Sequence, residues 1–336
     1  MKLEKALGTM MRFMLRAGVA LAGLCVACAQ AQPASGAGTY PNKPVRWIVA
    51  VAPGGFNDVL ARVFSPRFSA ALGEQFVIDN RAGAGGLIGA DTVAKGPPDG
   101  YTLLLANAGP SINVPLLTKN APYRVDDFTP IVYLGYAPLI LVAHPSFPVK
   151  NPAELVAYLK ANPGKVNWGS SGNASPLHIG LELFRAATGV NVTHVPYKGA
   201  APALTDTIGG QIQVMHATTV SAGAHIKSGR VKIIGIASPK RSPVWPDTPT
   251  LAESGIRNAE AVAWVGMSAP PKTPRAIVNK LNAEANKILA MPDVKQRLDQ
   301  LGLEPEGGTP QQFAAFIRSE AARVSMLIKK GALQEE

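Results

Sequence analysis

Short apolar runs alternate with segments of helical periodicity along most of the sequence, and this alternation limits the fold more than any other feature. The first cycle is VRWIVAV, rich in Val and Ile, followed by a helix predicted over 58–72. A second series runs through KVNWGSSGN, NVTHVPYKGAAPAL, IQVMHATTVSAG and VKIIGIAS. Such alternation predicts an α/β fold with mainly parallel sheets covered by helices.

Two extended segments connect the first series to the second and back, LGYAPLILVAHPSFPVKNP and AVAWVGMSAPPKTP. Two crossings predict two lobes with a cleft between them, and ligand crevices in such sheets lie beyond the carboxyl ends of the strands. We assign residues 40–142 and 265–336 to lobe I and residues 143–264 to lobe II.

A capping side chain followed by proline marks five predicted helix starts. Proline at the first helical position loses nothing, because its missing N–H would have no partner inside the helix, and the preceding Asn, Ser or Thr oxygen accepts from a nearby amide. The pairs are Asn151-Pro152, Ser175-Pro176, Thr248-Pro249, Thr273-Pro274 and Thr309-Pro310. Within the helix predicted over 58–72, Pro66 predicts a kink or a short break.

The first 31 residues have the order of a secretory signal, with basic residues, an apolar stretch and the small-x-small sequence Ala29-Gln30-Ala31. We expect cleavage after Ala31 and a soluble mature protein in the periplasm. Both cysteines, Cys25 and Cys28, would be removed with the signal, which excludes disulfides and thiolate chemistry. An alternative makes CVAC a lipoprotein box with Cys28 lipidated.

The formal charge is +11, and the predicted signal contains four basic residues and one glutamate, so the mature chain keeps +8. This balance favours anionic ligands. The basic residues are scattered, without a cluster interleaved with aromatic residues, so we expect no nucleic-acid partner.

The turn Pro53-Gly54-Gly55 stands where the first predicted strand ends and the first helix begins. Glycines let a backbone approach a ligand closely, and the first amides of a helix have no partner within it, so this corner suits an anion. No Lys-Ser/Thr pair follows the glycines, which excludes a P-loop. Asp58 has two interpretations, a general base or a first-turn residue stabilised by the amides and the helix dipole, and the pattern favours the second.

The segment AGAGGLIGA is similar to a dinucleotide-binding fingerprint but has Ile88 where the third glycine belongs. We interpret it as a tight turn into a closely packed helix. The chain also has five histidines, without a spacing typical of metal ligands: His144, His178, His194, His216 and His225. We therefore expect no metal site. His178 and Glu182 are four residues apart, which is typical of a pair on a helix surface.

The loop GSSGNASP follows a predicted strand and is the richest polar cluster in the chain. Ser170, Ser171 and Asn173 are predicted to surround a second helix N-terminus, where they would form a second anion cradle. An ordinary polar loop with an N-cap is the alternative. A nucleophile elbow is excluded, because Asn173 stands where that motif requires glycine.

Taken together, the segments YPNKPVRWIVAVAPGGFNDVLARVF, DNRAGAGGLIGADTVAKGPPDGYTLLLA, GSSGNASPLHIGLELF, THVPYKGAAPALTDTIGGQI and WVGMSAPPKTP resemble the Bug-type substrate-binding receptors of tripartite tricarboxylate transporters. The likeness runs from about residue 40 to the C-terminus. It implies a type II periplasmic-binding fold of two lobes that close on one small organic carboxylate. It also implies no catalysis, no cofactor, a monomer, and the membrane permease subunits of such a transporter as partners.

The resemblance also implies which residues contact the ligand. The turn over 53–57 would hold one carboxylate through backbone N–H groups, and the loop over 170–173 would face it from the other lobe. The expected set is Pro53, Gly54, Gly55, Phe56, Asn57, Asn107, Ser111, Ser170, Ser171, Asn173, Ser175, His216 and Thr218. Where many family members end a strand with an acidic or amide residue, this chain has His216-Ala217-Thr218-Thr219, which favours a carboxylate without an amine.

Two other functions are compatible with the sequence. An exported hydrolase would use the same cleft, but it needs a nucleophile, a base and an orienting group, and the sequence shows no such set. A ligand-binding partner of a sensor, without transport, has the same sequence requirements as a transport receptor.

Overall fold

The computed structural model describes residues 40–51, 53–54, 56–197, 199–242 and 244–334. Residues 41–336 form one compact unit, and of the other unit, residues 1–40, only Tyr40 is described. The predicted signal and both cysteines therefore lie outside the described residues. A search of the described helices finds none with the length and apolar character of a membrane span.

Ten strands form the sheet. They are β1 (Val45–Val49), β2 (Phe76–Asn80), β3 (Thr102–Asn107), β4 (Thr129–Ala143), β5 (Asn167–Ser170), β6 (Thr193–Pro196), β7 (Val214–Thr218), β8 (Lys232–Ile236), β9 (Val262–Ala269) and β10 (Glu304–Gly307).

Helices lie between the strands, in the alternation that the sequence predicts. They are α1 (Phe56–Leu72), α2 (Leu87–Ala94), α3 (Val114–Leu117), α4 (Pro152–Ala161), α5 (Pro176–Thr188), α6 (Ala200–Ile208), α7 (Thr219–Lys227), α8 (Arg275–Ala290), α9 (Pro292–Gln300) and α10 (Pro310–Lys329). A 3-10 turn over Ala84–Gly86 precedes α2, and a π-helical turn over Gly109–Asn113 precedes α3.

The sheet is mixed, in the order β2-β1-β3-β9-β4-β7-β5-β6, with β8 and β10 also paired to β4. Parallel pairs lie toward its two ends, where β1 joins β2 and β3, and where β5 joins β6 and β7. Strands β4 and β9 pair antiparallel to their neighbours. The prediction of mainly parallel pairing therefore holds for the outer strands, while the two strands that carry the chain across run in opposite directions.

Strand β4 joins the two halves of the sheet. Its first part, Thr129–Pro138, pairs with β9, and its last part, Leu139–Ala143, pairs with β7 and β8. The last ten residues of the strand are all buried, which explains why the sequence there is continuously apolar rather than alternating. Both predicted crossings, over 134–152 and 261–274, contain strand from this central pair.

Three of the five predicted caps are confirmed: Asn151, Ser175 and Thr309 each accept a hydrogen bond from the third residue of the helix that follows. Thr309 and Gln312 form a complete capping box. These caps satisfy amides that have no partner inside the helix. Helix α1 runs through Pro66 without the break that the sequence predicts.

The other two predicted caps differ from expectation. Helix α8 begins near Thr273, but the Thr273 hydroxyl donates to the Pro270 carbonyl, 2.8 Å away, and does not cap the helix. No helix follows Thr248-Pro249 in the described chain; a turn begins at Thr250, whose hydroxyl accepts from the Glu253 amide at 3.1 Å. The capping residue is therefore the second threonine of the segment.

Candidate functional site

The corner between β1 and α1 is built around one buried carboxylate. Asp58 Oδ2 accepts from the Gly54 N–H and from Arg62 Nε, both at 2.9 Å, and its Oδ1 accepts from Asn80 Nδ2 at 3.0 Å. The bond from Arg62, with those from Gly54 and Asn80, lowers the pKa of Asp58 to about 2 against the opposing effect of burial. Asp58 is thus a first-turn residue, as predicted. Both of its carboxylate oxygens already accept hydrogen bonds, so it is not placed to act as a general base.

This carboxylate changes which amides of the corner are open to a ligand. It takes the Gly54 N–H, so the prediction that this amide holds a ligand does not fit the structure. Pro53 has no N–H to give, and Gly55 lies outside the described residues. The amides of Phe56 and Asn57 open helix α1 and have no acceptor inside the helix. They are the donors of this corner that suit an anion.

A glycine-rich turn packs tightly against the first corner. A Cβ on Gly86, where φ is 101°, would lie 3.3 Å from Ala50 Cβ, and one on Gly89 would lie 2.8 Å from the same atom. A side chain at either position would push α2 away from β1. The interpretation of AGAGGLIGA as a tight turn into a closely packed helix is confirmed.

The segment after β3 contributes Asn107 and the π-helical turn. Asn107 Oδ1 accepts from the Gly109 N–H at 3.2 Å and so fixes the start of that turn. Ser111 is buried and its hydroxyl has no hydrogen-bond partner. It lines a separate cavity of about 120 Å³ with Phe128 and Arg318. The structure therefore does not bring Ser111 together with the other predicted ligand contacts.

In the polar loop before α5, two serines make hydrogen bonds that fix the loop conformation. Ser170 Oγ accepts from the Gly172 N–H at 3.2 Å and lies 2.6 Å from His194 Nε2, and Ser170 has no exposed surface. Ser175 caps α5. Ser170 and Ser175 therefore position the loop, contrary to the prediction that they contact ligand. Ser171 is half-buried and Asn173 is exposed.

Two stacked histidines, His178 and His194, each make a hydrogen bond to this loop. The rings of His178 and His194 are parallel within 3°, with centroids 4.0 Å apart. His178 Nδ1 accepts from the Ala174 N–H at 3.0 Å, and its Nε2 lies 3.5 Å from Glu182 Oε1. Burial, and then the neighbouring His178, lower the pKa of His194 to about 4. The predicted His178–Glu182 pair exists, but it is largely buried, with side chains 12% and 3% exposed, rather than on a helix surface.

A hydrogen bond joins the π-helical turn after β3 to the polar loop before α5. Asn113 Nδ2, at the end of the π-helical turn, donates to the Ala174 carbonyl at 2.6 Å across 61 residues of chain. The sequence analysis missed Asn113, although an amide inside the apolar run GPSINVPLL is the signal that could have found it. A cavity of about 590 Å³ opens beside this bond. Its lining residues are Ala84, Gly85, Leu87, Asn113, Val114, Leu117, Thr118, Asn173, Ala174, His178, Ala332, Leu333 and Gln334.

The end of β7 differs from expectation. His216 has no exposed surface and packs under α5, where a Cβ on Gly180 would lie 3.2 Å from the imidazole, with Trp168 at 5.3 Å between ring centroids. Burial lowers the pKa of His216 to about 3. The ring offers no surface to a ligand in this structure, so it does not support a preference for or against an amine. Thr218 caps α7 by accepting from the Ser221 N–H at 3.2 Å.

The site has the chemistry of a binding site. No group of three or more potential metal-ligating side chains occurs among the described residues. Ser170 and His194 form a serine–histidine contact, but the serine is fully buried, and the described carboxylates include none hydrogen-bonded to that imidazole. A nucleophile needs access to substrate and an oriented base. Helix N-termini, amides and hydroxyls instead suit recognition of an anion.

Comparisons with known proteins agree with this interpretation. The profile described as "Tripartite tricarboxylate transporter family receptor" matches residues 60–333. Among curated relatives, a UPF0065 protein from the tcbD-tcbE intergenic region of a Pseudomonas species is 38% identical over 291 residues, which is 86% of each chain. Protein BugT of Bordetella pertussis is 36% identical over 314 residues, covering 93% of this chain and 96% of the relative.

Solved structures show the same fold. The periplasmic binding protein BugD is 36% identical with a TM-score of 0.73, covering 88% of this chain and all of that one. Rpa4515 of R. palustris with adipate is 33% identical with a TM-score of 0.76, covering 88% and 99%. MatC from Rhodopseudomonas palustris with bound malate is 34% identical with a TM-score of 0.71, covering 84% and 98%.

Proposed function

The chain belongs to the tripartite tricarboxylate transporter receptor family, and from that premise we propose that it holds a small organic carboxylate between the N-terminus of α1 and the loop over 170–175. It then delivers the ligand to the membrane permease subunits of such a transporter. The observation that carries this proposal is the Asn113–Ala174 hydrogen bond, because it brings the segments at the ends of β3 and β5 together beside a cavity of about 590 Å³.

The ligand is a dicarboxylate without an amine. Adipate and malate, bound in the two similar structures, both carry two carboxylates and no amine. One carboxylate meets the amides of Phe56 and Asn57, and each charge-assisted hydrogen bond contributes about 1.5 to 3 kcal/mol before ordering costs. The other end of the ligand meets Ser171 and Asn173. The formal charge of +8 on the chain without the predicted signal favours the approach of such an anion.

Capture proceeds by closure of two lobes, residues 40–142 with 265–336 and residues 143–264, about the strands β4 and β9. A permease that distinguishes loaded from empty receptor must favour the closed form, which ligand binding populates. The protein acts as a monomer in the periplasm after removal of residues 1–31. The similarity to BugD, a periplasmic binding protein, supports this location.

Thermal unfolding tests the function directly. The chain from Gln32 onward is unfolded and refolded to remove bound ligand, and its Tm is recorded with adipate, malate, succinate, citrate and benzoate, using amino acids and sugars as controls. We expect a saturating rise in Tm with dicarboxylates alone, because a ligand that binds only the folded state stabilises it. A rise with a sugar or an amino acid, and none with any carboxylate, would refute the proposal.

A glycine pair tests the place of binding. Gly54 and Gly73 have φ values of 81° and 78°, and an added Cβ meets nothing within 4 Å at either position. Changing each to alanine therefore imposes a similar backbone penalty of about 1 to 2 kcal/mol. We expect Gly54→Ala to weaken dicarboxylate binding at least fivefold and Gly73→Ala to leave it unchanged. Equal affinities in the two variants would place the ligand elsewhere.

A further inference from the structure

We propose that Asn113 and His178 are positioning residues that hold Ala174 from two sides, so that the loop over 170–175 is ready for ligand only when the lobes are closed and His178 is neutral. The inference rests on the proposed function, since it takes this loop as one wall of the carboxylate site. It adds two residues that contact the loop backbone and act on the ligand through it.

The two hydrogen bonds that hold Ala174, one from Asn113 Nδ2 to its carbonyl and one from its N–H to His178 Nδ1, are called the clamp below. The bond from Asn113 is the one that depends on closure of the lobes. Its side chain is buried, with 2% of the residue exposed, and its Nδ2 donates to the Ala174 carbonyl at 2.6 Å. By the proposed boundaries Asn113 belongs to lobe I and Ala174 to lobe II. The bond therefore breaks when the lobes separate and forms again when they close, which makes it a latch on the closed form.

Ala174 requires such support because of its backbone. Its φ of 55° lies in the left-handed region, which a residue with a Cβ adopts only when the surroundings impose it. The surroundings here are the two bonds on either side of the residue, its N–H to His178 Nδ1 and its C=O from Asn113. Loss of either bond lets the loop relax toward ordinary backbone angles.

His178 supplies the half that depends on pH. An imidazole nitrogen that accepts a backbone N–H carries no proton, so the Ala174 bond requires neutral His178 with its proton on Nε2. A protonated Nδ1 is itself a donor, so it would face the Ala174 N–H donor and the bond would break.

The groups that face His178 determine how the ring responds to acid. On its own helix, Glu182 lies 3.5 Å from Nε2, and Arg185 contacts the same carboxylate at 2.5 Å. On β6, His194 stacks against the ring. Because the pKa of His194 is about 4, that second ring stays neutral between pH 5 and 8.

On α10, Glu320 and Arg323 bond each other at 2.8 Å, and Glu320 lines a small cavity with Pro176 at the start of α5. They neutralise one another and favour neither state of His178.

The pH comparison of the first experiment needs no ligand. In the chain from Gln32 onward, NMR-detected hydrogen exchange gives the protection factor of the Ala174 amide, corrected for intrinsic rate, at pH 7.5 and 5.5. We expect lower protection at the lower pH in the unmodified protein, because a protonated Nδ1 cannot accept the Ala174 N–H. His178→Phe should be unprotected at both values. His178→Asn, whose Oδ1 can accept the same N–H without titrating, should be protected equally at both.

Matched controls separate the clamp from general loss of structure. His144 Nδ1 also accepts a backbone N–H, from Ser146 at 3.3 Å, and Asn162 Nδ2 also donates to a backbone carbonyl, of Tyr158 at 3.1 Å. His144→Asn and Asn162→Leu should leave protection at Ala174 unchanged. Asn113→Leu should lower it about tenfold in the protein with adipate or malate bound, where the lobes are closed and the bond to the Ala174 carbonyl is made. If that variant does not fold, Asn113→Asp, which keeps the size and cannot donate, replaces it.

The second experiment measures binding kinetics with adipate and malate as probes. Asn113→Leu should raise the dissociation rate about tenfold and change the association rate less than twofold, because a latch acts after closure. The Kd of the unmodified protein should rise more between pH 7.5 and 5.5 than that of His178→Asn, because protonation of the ligand's second carboxylate weakens binding to both proteins alike.

The outcomes of the two experiments are distinct. If neither dicarboxylate binds while protection at Ala174 follows the expected pattern, the clamp stands and the proposed ligand class fails. The clamp is refuted, and the proposed function stands, if dicarboxylates bind but Asn113→Leu keeps both the protection of the Ala174 amide and the dissociation rate of the unmodified protein. The same holds if His178→Asn keeps the pH dependence of the unmodified protein.

Discussion

The proposed site has two walls, the corner between β1 and α1 (the first wall) and the loop over 170–175 (the second wall), and they are held in different ways. The α1 corner is fixed by a charged group, since Asp58 bonds the Gly54 amide and the Arg62 guanidinium, both four residues away, and one amide of the neighbouring strand, Asn80. The loop before α5 is held by neutral hydrogen bonds from three separate segments, through Asn113, His178 and His194. One wall is complete in itself, and the other depends on contacts that are far apart in sequence.

This difference predicts different responses to acid. The pKa of Asp58 is about 2, so the first corner keeps its charge down to strongly acidic pH. The second wall rests on histidines that are buried in the neutral form, with pKa values of about 4 for His194 and about 3 for His216. A receptor that closes on its ligand needs one wall ready in advance and one that responds. The structure assigns the first role to the α1 corner.

The largest expected effect is at His216. The unfolded chain binds a proton at this residue near pH 6.5 and the folded protein only near pH 3, so its contribution to stability is lost as the pH falls from 6.5 toward 3. At pH 4 the loss amounts to about 3 kcal/mol. His216→Leu should remove that part of the pH dependence. It should also stabilise the protein at pH 7 by about 1 kcal/mol, because neither ring nitrogen has a partner.

Urea unfolding at pH 7, 5.5 and 4 measures both effects. His144→Leu is the matched control, because His144 lies only partly buried at the far end of β4. An unchanged pH dependence in His216→Leu would show that the acid response of the second wall has another origin.

Asp58→Asn tests the charged wall. The variant should lose about 2 kcal/mol at pH 7, which is the stabilisation linked to the lowered pKa of a carboxylate that is 3% exposed. In the unmodified protein this contribution is present above about pH 4 and is lost as the pH falls through 2. Asp293→Asn breaks an exposed surface pair with Arg67 at 2.7 Å and should cost much less. Equal losses in the two variants would make the corner no different from an ordinary surface pair.

Ser170→Ala has the smallest expected effect, because one neutral hydroxyl links the loop to His194. Losing its contacts with His194 Nε2 and the Gly172 amide should lower the free energy of unfolding by about 1 kcal/mol. Ser228→Ala, which removes an exposed hydroxyl bonded to the His225 carbonyl, should have almost no effect. A fall in Tm no larger than that of the control would mean that the hydroxyl does not support the second wall.

Local chemistry was predictable from the sequence. The caps at Asn151, Ser175 and Thr309 follow from side chains that bond amides three residues away. The first-turn position of Asp58 follows from the same physics. Sequence alone misplaced the cap at Thr248, because two threonines lie within three residues and only the packed turn decides which one bonds.

Contacts between distant segments were not predictable. Nothing in the spacing shows that Asn113 meets Ala174, 61 residues further on, or that His178 stacks on His194 from a different strand. His216 lies in the middle of β7, and which face that strand turns toward α5 depends on its pairing with β4. The sequence also did not show that Ser111 lines a separate cavity, because the π-helical turn sets where its hydroxyl points.

The measurement that tests the central claim most directly is an NMR titration of the isotope-labelled chain from Gln32 onward with adipate and, separately, with malate. If both walls form one site, the amides of Asn57 and Ala174 shift together, with one saturation curve, while that of Gly73 does not move. Shifts confined to one wall, or to neither wall while the ligand raises Tm, would contradict the assignment of the carboxylate site to these two helix N-termini.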